Sequence, residues 1–381
     1  MLTFISNNKK KYAYFEKLSK FLNIKSNVKK LSISINLILF FQYKRRLSSS
    51  IQNAIQKKIY EINLKYKNRI FFKNFYKLYV YFITPFIVSW AIKIIKKSRA
   101  IAIWNGQRFP ENLIMDIAKY FNKKIIYFEV GFFPNTIVID PKGVNFFNSV
   151  PRNINFYKNY SIKEETFPRK INKREHLIKR KLEYIKLPEK YIFVPFQTSF
   201  DTQIVYNSPW IKSMPMLFEI IEQIANKTHI NFILKEHPHE RDFTYEELHK
   251  RAENNPFIKF ANGNETNELI KNAEAIITIN STVGLEALLM NKRVIVLGNA
   301  FYALDKITKK ATNISELEQI IKNLDKWNIE EDLIKRFLSY LINEYLVKGT
   351  WSNPTKEHFI TVEQRIKDIL NDTYNGNFSK K

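Results

Sequence analysis

The chain of 381 residues contains no cysteine. That excludes disulfides, thiolate zinc sites, iron–sulfur clusters and thiol catalysis, and it fits a cytoplasmic setting. Glycine is scarce, at eight residues, and neither a G-x-G-x-x-G turn nor a Walker A loop occurs. The two familiar glycine-built phosphate cradles are therefore missing. There is no D-x-D pair to clamp a metal-bound nucleotide, no H-E-x-x-H, and no G-x-S-x-G nucleophile turn. Of the six histidines, His239 and His249 resemble metal ligands in type, but no convincing third ligand accompanies them, so no metal is expected. Long apolar runs are also lacking. The longest uncharged stretch, "LYVYFITPFIVSWAI" (78–92), is short for a bilayer and carries Pro85 in its middle. A buried helix or strand pair is expected there, with an interfacial segment or a span as alternatives. The N-terminus does not show the order of basic region, apolar run and small-residue cleavage site, so no signal peptide is expected.

Acidic residues are few where the charge gathers. The net charge is +26, and residues 1–100 hold 22 Lys and Arg against only Glu16 and Glu61. An AT-rich coding bias accounts for lysine over arginine, but not for where the charge sits. The asymmetry suggests an anionic partner for the N-terminal part: a membrane surface, a lipid phosphate or nucleic acid. At 45% hydrophobic residues, the chain can bury a substantial core.

Residues 1–75 read as basic, mostly helical segments. From residue 99 the pattern alternates: strand 99–106, helix 110–122, strand 123–131. Residues 152–188 read as a polar linker with one helix. A second alternation follows, with strands at 191–197, 230–236, 257–261, 275–279 and 293–298, and helices near 213–227, 243–252, 265–272 and 282–290. A last amphipathic helix is expected at 354–370. Alternation of this kind predicts parallel α/β layers. The domain division is 1–165, a linker at 166–188, 189–345, and a C-terminal helix and tail at 346–381.

In open α/β sheets, ligands bind beyond the carboxyl ends of the strands. Glu129, Gln197, Asp201, His237 and Ser281 all fall there. His237 stands before Pro238, which holds it out of helical conformation, where it could donate to a phosphate. The plainer alternative is a surface-loop histidine. In Asn280-Ser281-Thr282-Val283-Gly284 the hydroxyls suit a helix cap, and the same N–H groups suit an anion. Glu286 follows on that helix, suited to ribose hydroxyls or an internal pair. For Glu129 and Asp201 singly, a surface or capping role is the plain reading. Together they suggest carboxylate chemistry at an anomeric carbon.

"FILKEHP" (232–238) followed by "INSTVGLEALLMNKRVIVLGNAFY" (279–302) resembles the capsule polysaccharide biosynthesis family, of the KpsS/KpsC (LipB/LipA) β-Kdo transferase type. "IWNG", "YFEVGFFPNTIVIDPKGVN" and "FVPFQTSFDTQIVYNSPW" agree with it, and the likeness covers about residues 99–305. The resemblance implies a GT-B-like α/β fold of two Rossmann-like domains facing a central cleft. It implies a retaining transferase that uses CMP-β-Kdo. Asp201 and Glu129 would be the catalytic acids. Lys235, His237, Pro238, Asn280, Ser281, Thr282, Gly284 and Glu286 would hold the donor, and Asn105, Arg108, Gln197 and Gln203 would line the rest of the cleft. Cationic or N–H groups would meet the Kdo carboxylate, with Lys235, Arg108 and the 281–284 turn as candidates. Because the chain has room for one catalytic module, the KpsS-like reading is preferred: Kdo added to a phosphatidylglycerol-type lipid to start a poly-Kdo linker. That implies peripheral attachment to the inner face of the cytoplasmic membrane, with a second Kdo transferase and a capsule export complex as partners. Rival readings are another CMP- or CDP-donor transferase (sialyl- or glycerophospho-), a non-catalytic scaffold, and a basic nucleic-acid-binding protein. The last lacks any recognisable nucleic-acid motif, and no nucleic-acid partner is expected.

Overall fold

The computed structural model describes residues 1–66, 69–162, 183–199, 201–238, 240 and 245–374, and the structural statements concern those residues. Two compact units divide the chain. One comprises Met1–Ser149 with Tyr345–Lys381, the other Val150–Glu344.

The first unit opens with β1 (Leu2–Ser6), α1 (Lys9–Phe21) and β2 (Ser26–Lys30). All five residues of β1 are buried, and the Asn8 side chain caps α1 by accepting from the N–H groups of Lys10 and Lys11. Three helices follow: α2 (Ile38–Tyr43), α3 (Ser48–Lys65) and α4 (Ile70–Lys96). Then come β3 (Ala100–Trp104), α5 (Glu111–Tyr120), β4 (Lys124–Val130) and β5 (Thr136–Asp140). The expectation of a mostly helical 1–75 missed β1 and β2. β1 opens the chain with no turn before it to bound its run, and the edge strand "SNVKK" has no apolar run, so neither shows as a strand pattern.

The second unit begins with α6 (Ile154–Lys158). Its α/β series is β6 (Ile192–Pro195), α7 (Thr202–Asn207), α8 (Met214–Thr228), β7 (Phe232–Lys235), α9 (Glu246–Glu253), β8 (Ile258–Phe260), α10 (Thr266–Asn272), β9 (Ala275–Thr278), α11 (Val283–Leu289), β10 (Arg293–Val296), β11 (Lys309–Lys310), α12 (Ile314–Lys322) and α13 (Glu331–Tyr340). The sheet order is β11-β10-β9-β6-β7-β8, and every pairing is parallel. This is the doubly wound dinucleotide-fold order, and its topological switch point lies between β6 and β9. Ile192, Val194, Phe232, Leu234, Ile277 and Ile295 fill one face of the sheet with the helices that cover it.

The chain then returns to the first unit through β12 (Val347–Lys348) and α14 (Lys356–Leu370). The first sheet is ordered β12-β5-β4-β3-β1-β2, parallel from β2 to β4, with β5 and β12 antiparallel. Its switch point falls between β1 and β3. One face packs against α1 and α14, the other against α2, α4 and α5. Buried Asp140 ties the return in place by accepting from Tyr345 Oη at 2.8 Å and from the N–H groups of Lys142, Gly143 and Ser149.

Two boundaries differ from the sequence division. Residues from Val150 group with the second unit, where the Tyr157 ring meets Phe337 at 5.2 Å. Within the expected 346–381 segment, the described residues to 374 are no separate tail, because Val362 and Ile366 of α14 are wholly buried in the first core. The expected linker lies outside the described residues up to residue 182. The 78–92 stretch belongs to α4, whose second half is core while its first half is exposed.

Candidate functional site

In the second unit, Pro195 pairs with Lys235 and Phe193 with Ile276. Following that register outward, Gln197, His237 and Asn280 stand level, just beyond the carboxyl ends of three adjacent strands. The sequence motifs thus converge on one edge of this sheet, at its switch point.

Much of the polar chemistry there is taken up by the fold. Gln197 Nε2 donates to Asn280 Oδ1 at 3.1 Å, and Asn280 N donates back to Gln197 Oε1 at 3.2 Å. Asn280 Nδ2 reaches the Gln203 and Asn207 carbonyls at 3.0 and 3.3 Å. Both side chains are buried. The pair is a clasp that joins the ends of β6 and β9 to α7. Gln203 completes it by accepting from Asn207 Nδ2 at 2.9 Å. Asn207 keeps one buried acceptor, Oδ1, without a hydrogen-bond partner.

Lys235 is likewise engaged. Its Nζ donates to the Asn262 and Asn264 carbonyls at 2.8 and 2.6 Å. Burial lowers its pKa, opposed by Glu265 and Glu268. In this arrangement Lys235 braces the loop after β8. His237 is half-buried two residues past β7, and its carbonyl accepts from Glu240 N at 2.9 Å. Pro238 follows it, whereas His239 lies outside the described residues.

Asp201 is the N-cap of α7, with Oδ1 accepting from Gln203 N at 2.9 Å. Ser281 Oγ accepts from Val283 N at 3.2 Å, so Ser281 is the side-chain cap at the α11 start. Thr282 occupies the N-cap position by backbone and makes no side-chain cap bond. Glu286 lies half-buried in the first turn. Gly284 is small for an internal reason. A Cβ there would stand 2.6 Å from Tyr302 Oη, and that buried phenol donates to the Ser281 carbonyl.

The sequence reading missed a second link at this edge. Glu240 Oε2 accepts from Ser199 N and Ser199 Oγ, both at 2.8 Å, and from Tyr245 Oη at 3.3 Å. It joins the loop carrying Asp201 to the loop carrying His237. A charged residue three positions after His237 was the available signal.

In the first unit, Glu129, the penultimate residue of β4, lies inside a ring of donors. Trp104 Nε1 lies at 3.2 Å, Asn105 Nδ2 at 2.5 Å and its neighbour Val130 N at 2.9 Å. Asn105 adopts a left-handed φ of 65°, which turns the chain sharply after β3. Lys11, at the start of α1, lies 4.8 Å from the Trp104 ring centroid. Burial lowers the Lys11 pKa, against the opposing pull of Glu129 and Glu111. Burial raises the pKa of Glu111, opposed by its own backbone N–H, Lys11, Lys58 and Arg108. Lys11 and Glu111 were not read from the sequence. Lys11 sits at the switch point only because β1 is a central strand, and the missed strand hid it. Arg108 is half exposed and stands 4.0 Å from Glu61 Oε1. Among the described residues, no group of three or more His, Asp or Glu is placed to hold a metal ion.

Two α/β units in one chain, each with its polar residues gathered at a switch-point edge, define a GT-B-like protein. Comparison with known proteins narrows the class. Residues 174–351 match the family model described as capsule polysaccharide biosynthesis protein. Protein FixF of Sinorhizobium fredii is 38% identical over 256 residues, covering 67% of this chain and 61% of that protein. The capsule polysaccharide export protein KpsS of Escherichia coli is 27% identical over 173 residues, covering 44% of this chain and 43% of its own length. The chain thus spans about three-fifths or less of these curated relatives. Among solved structures, a Thermosulfurimonas dismutans KpsC structure, described as a beta Kdo 2,7 transferase, superposes with a TM-score of 0.51 at 15% identity, over 98% of this chain and 99% of that one. This last likeness speaks to the fold. Together the findings support likeness to the capsule polysaccharide biosynthesis family, with residues 174–351 carrying the family match and KpsS among the similar proteins.

Proposed function

We propose that the protein is a retaining β-Kdo transferase that moves Kdo from CMP-β-Kdo to a phosphatidylglycerol-type lipid, starting the poly-Kdo linker of a capsule. The observation that carries the reading is that Gln197, His237 and Asn280 each follow the carboxyl end of one of three adjacent parallel strands, where Gln197 and Asn280 are hydrogen-bonded, with Asp201 capping the helix that follows β6. In this proposal His237 and the 281–284 turn receive the CMP phosphate. The Asp201 carboxylate attacks the anomeric carbon, and the bond to CMP breaks with its electron pair leaving on the phosphate oxygen. The lipid hydroxyl then displaces the carboxylate from the anomeric carbon while a general base takes its proton; Glu129 of the first unit, held in one orientation by its donor ring, is proposed for an acid–base role. Asn280 and Gln197 set the spacing of the edge and do not touch the donor. The proposed reaction draws on no metal ion.

The +20 carried by residues 1–100 favours attachment to an anionic membrane surface; a cytoplasmic setting beside a second Kdo transferase and a capsule export complex is proposed from the family likeness alone. The test is an assay with CMP-Kdo generated in situ and a fluorescent phosphatidylglycerol, read by mass spectrometry, with Asp201→Asn alongside. A single Kdo added by wild type and not by the variant is the expected outcome. CMP release without lipid product would replace the acceptor. An active Asp201→Asn would remove the nucleophile assignment.

A further inference from the structure

The first half of α4 has no part in the proposed chemistry. Phe71, Phe75, Leu78 and Phe82 recur at helical spacing along one face and are 58–79% exposed. Ile70, Phe72, Tyr79 and Tyr81 beside them are also exposed. The 34–41 stretch, which leads into α2 and includes its first turn, contacts the same helix, because Ser34 N donates to the Phe86 carbonyl at 3.1 Å and Phe40 N to Ser89 Oγ at 3.1 Å. It adds Ile35, Ile38 and Phe41, exposed by 87%, 69% and 60%. A continuous apolar ridge of this kind marks a surface that meets something.

By length and composition α4 qualifies as a membrane span. Its second half cannot serve as one, because Val88, Ala91, Ile92 and Ile95 are wholly buried in the first unit's core. The part with an exposed apolar face, from Ile70 to Phe82, also packs Val80 against Ile55 and Ile62 of α3, and it measures only about 20 Å at helical rise, against a hydrocarbon core of about 30 Å. It can lie on a bilayer but not cross one.

Charge decides the occupant. Between residues 17 and 110 the only acid is Glu61, and Lys58 pairs with it at 2.9 Å. Lys44, Arg45, Arg46, Lys65 and Arg69 are exposed around the ridge, and Lys44 Nζ stands 5.0 Å from the Phe41 ring centroid. A second copy of this chain would bring the same cations and be repelled. An apolar ridge with a cationic rim suits the boundary between headgroups and acyl chains of an anionic bilayer.

We propose that the ridge of α4 and the 35–41 segment insert into the surface of an anionic lipid bilayer, with the basic rim on lipid phosphates. The inference deepens the transferase reading by naming where lipid is met, and it rests on that reading only for the lipid's role as acceptor.

The test is flotation of the purified chain with phosphatidylcholine vesicles, or with vesicles containing about 30% phosphatidylglycerol. The wild type and the variant Phe71→Ser/Phe75→Ser/Leu78→Ser/Phe82→Ser are compared at low and high salt. Wild type should float with the anionic vesicles, and the variant should bind them at least about tenfold more weakly with its thermal unfolding unchanged. Phe75→Trp should show fluorescence quenched by brominated acyl chains, which needs no loss of binding to read. Three results would overturn the proposal: no flotation of wild type, equal flotation of the variant, or a concentration-dependent dimer that the substitutions dissociate. Kdo transfer to a short-chain, water-soluble phosphoglycerol acceptor separates the two readings. Flotation without such transfer sinks the transferase reading and leaves the docking surface standing.

Discussion

Asn280 and Asp201 lie on the same edge of the second sheet, and their hydrogen bonds set different expectations for them. Asn280 is buried with both ends of its amide used, so Asn280→Ala should leave the Gln197 amide and two carbonyls short of partners. A loss of about 1–3 kcal/mol is expected, read as a lower midpoint in thermal unfolding of the ligand-free protein. A midpoint unchanged by the substitution would show that the clasp is not structural. Asp201 caps α7 through one oxygen, which Asn can reproduce. Asp201→Asn should therefore keep the midpoint while abolishing transfer, whereas Asp201→Ala should cost about 1 kcal/mol of stability. Gly284→Ala should destabilise by about 1–3 kcal/mol, because its Cβ would press on the buried Tyr302 ring.

At the level of elements, α14 is fastened to α1 across the whole length of the chain. Tyr14 Oη lies 2.9 Å from His358 Nε2, and His358 Nδ1 lies 2.8 Å from the Lys348 carbonyl. Burial lowers the His358 pKa, opposed by the bond to Lys348. The folded state therefore favours the neutral ring, while the unfolded chain takes up a proton near pH 6.5. The stability this residue contributes is complete above that pH and is lost as pH falls through the window below it. Melting temperature should drop between about pH 7 and pH 5, and His358→Gln should flatten that part of the profile. An unaltered pH profile in the variant would assign the dependence elsewhere. In the second unit β6 to β10 were legible as elements to within a residue or two, because each is a short β-branched or aromatic run with a polar turn behind it; β11, a pair of lysines, was not. β1 and β2 were not either: one opens the chain with no turn before it to bound its run, and the other is too polar for a period to show.

For the whole molecule, the division into units does not follow the order of the chain. Phe359, Val362 and Ile366 of α14 share a core with Phe4, Phe15 and Phe128. Removal of residues 346–381 should therefore unfasten the first unit and not the second. Hydrogen exchange is expected to show rapid exchange at β1 and β3 with protection kept at β6 and β9. Slow exchange at β1 in the shortened chain would contradict the packing argument. The charge asymmetry belongs to this scale too, since +20 on the first hundred residues is a field over one unit and not a property of any pair.

Residue order alone determined the alternation of strands and helices, the placing of His237, Asp201 and Ser281 just past strand ends, and the basic character of the first hundred residues. Each of these is local, set by runs of a few neighbours or by simple charge. Only the tertiary structure decided which of the strand-end polar groups the fold already uses. Gln197 and Asn280 meet across 83 residues of chain, and Lys235 serves carbonyls 27 and 29 residues away. Nor does the sequence show that α4 is core at one end and exposed at the other, for that depends on where the first sheet and its covering helices stop.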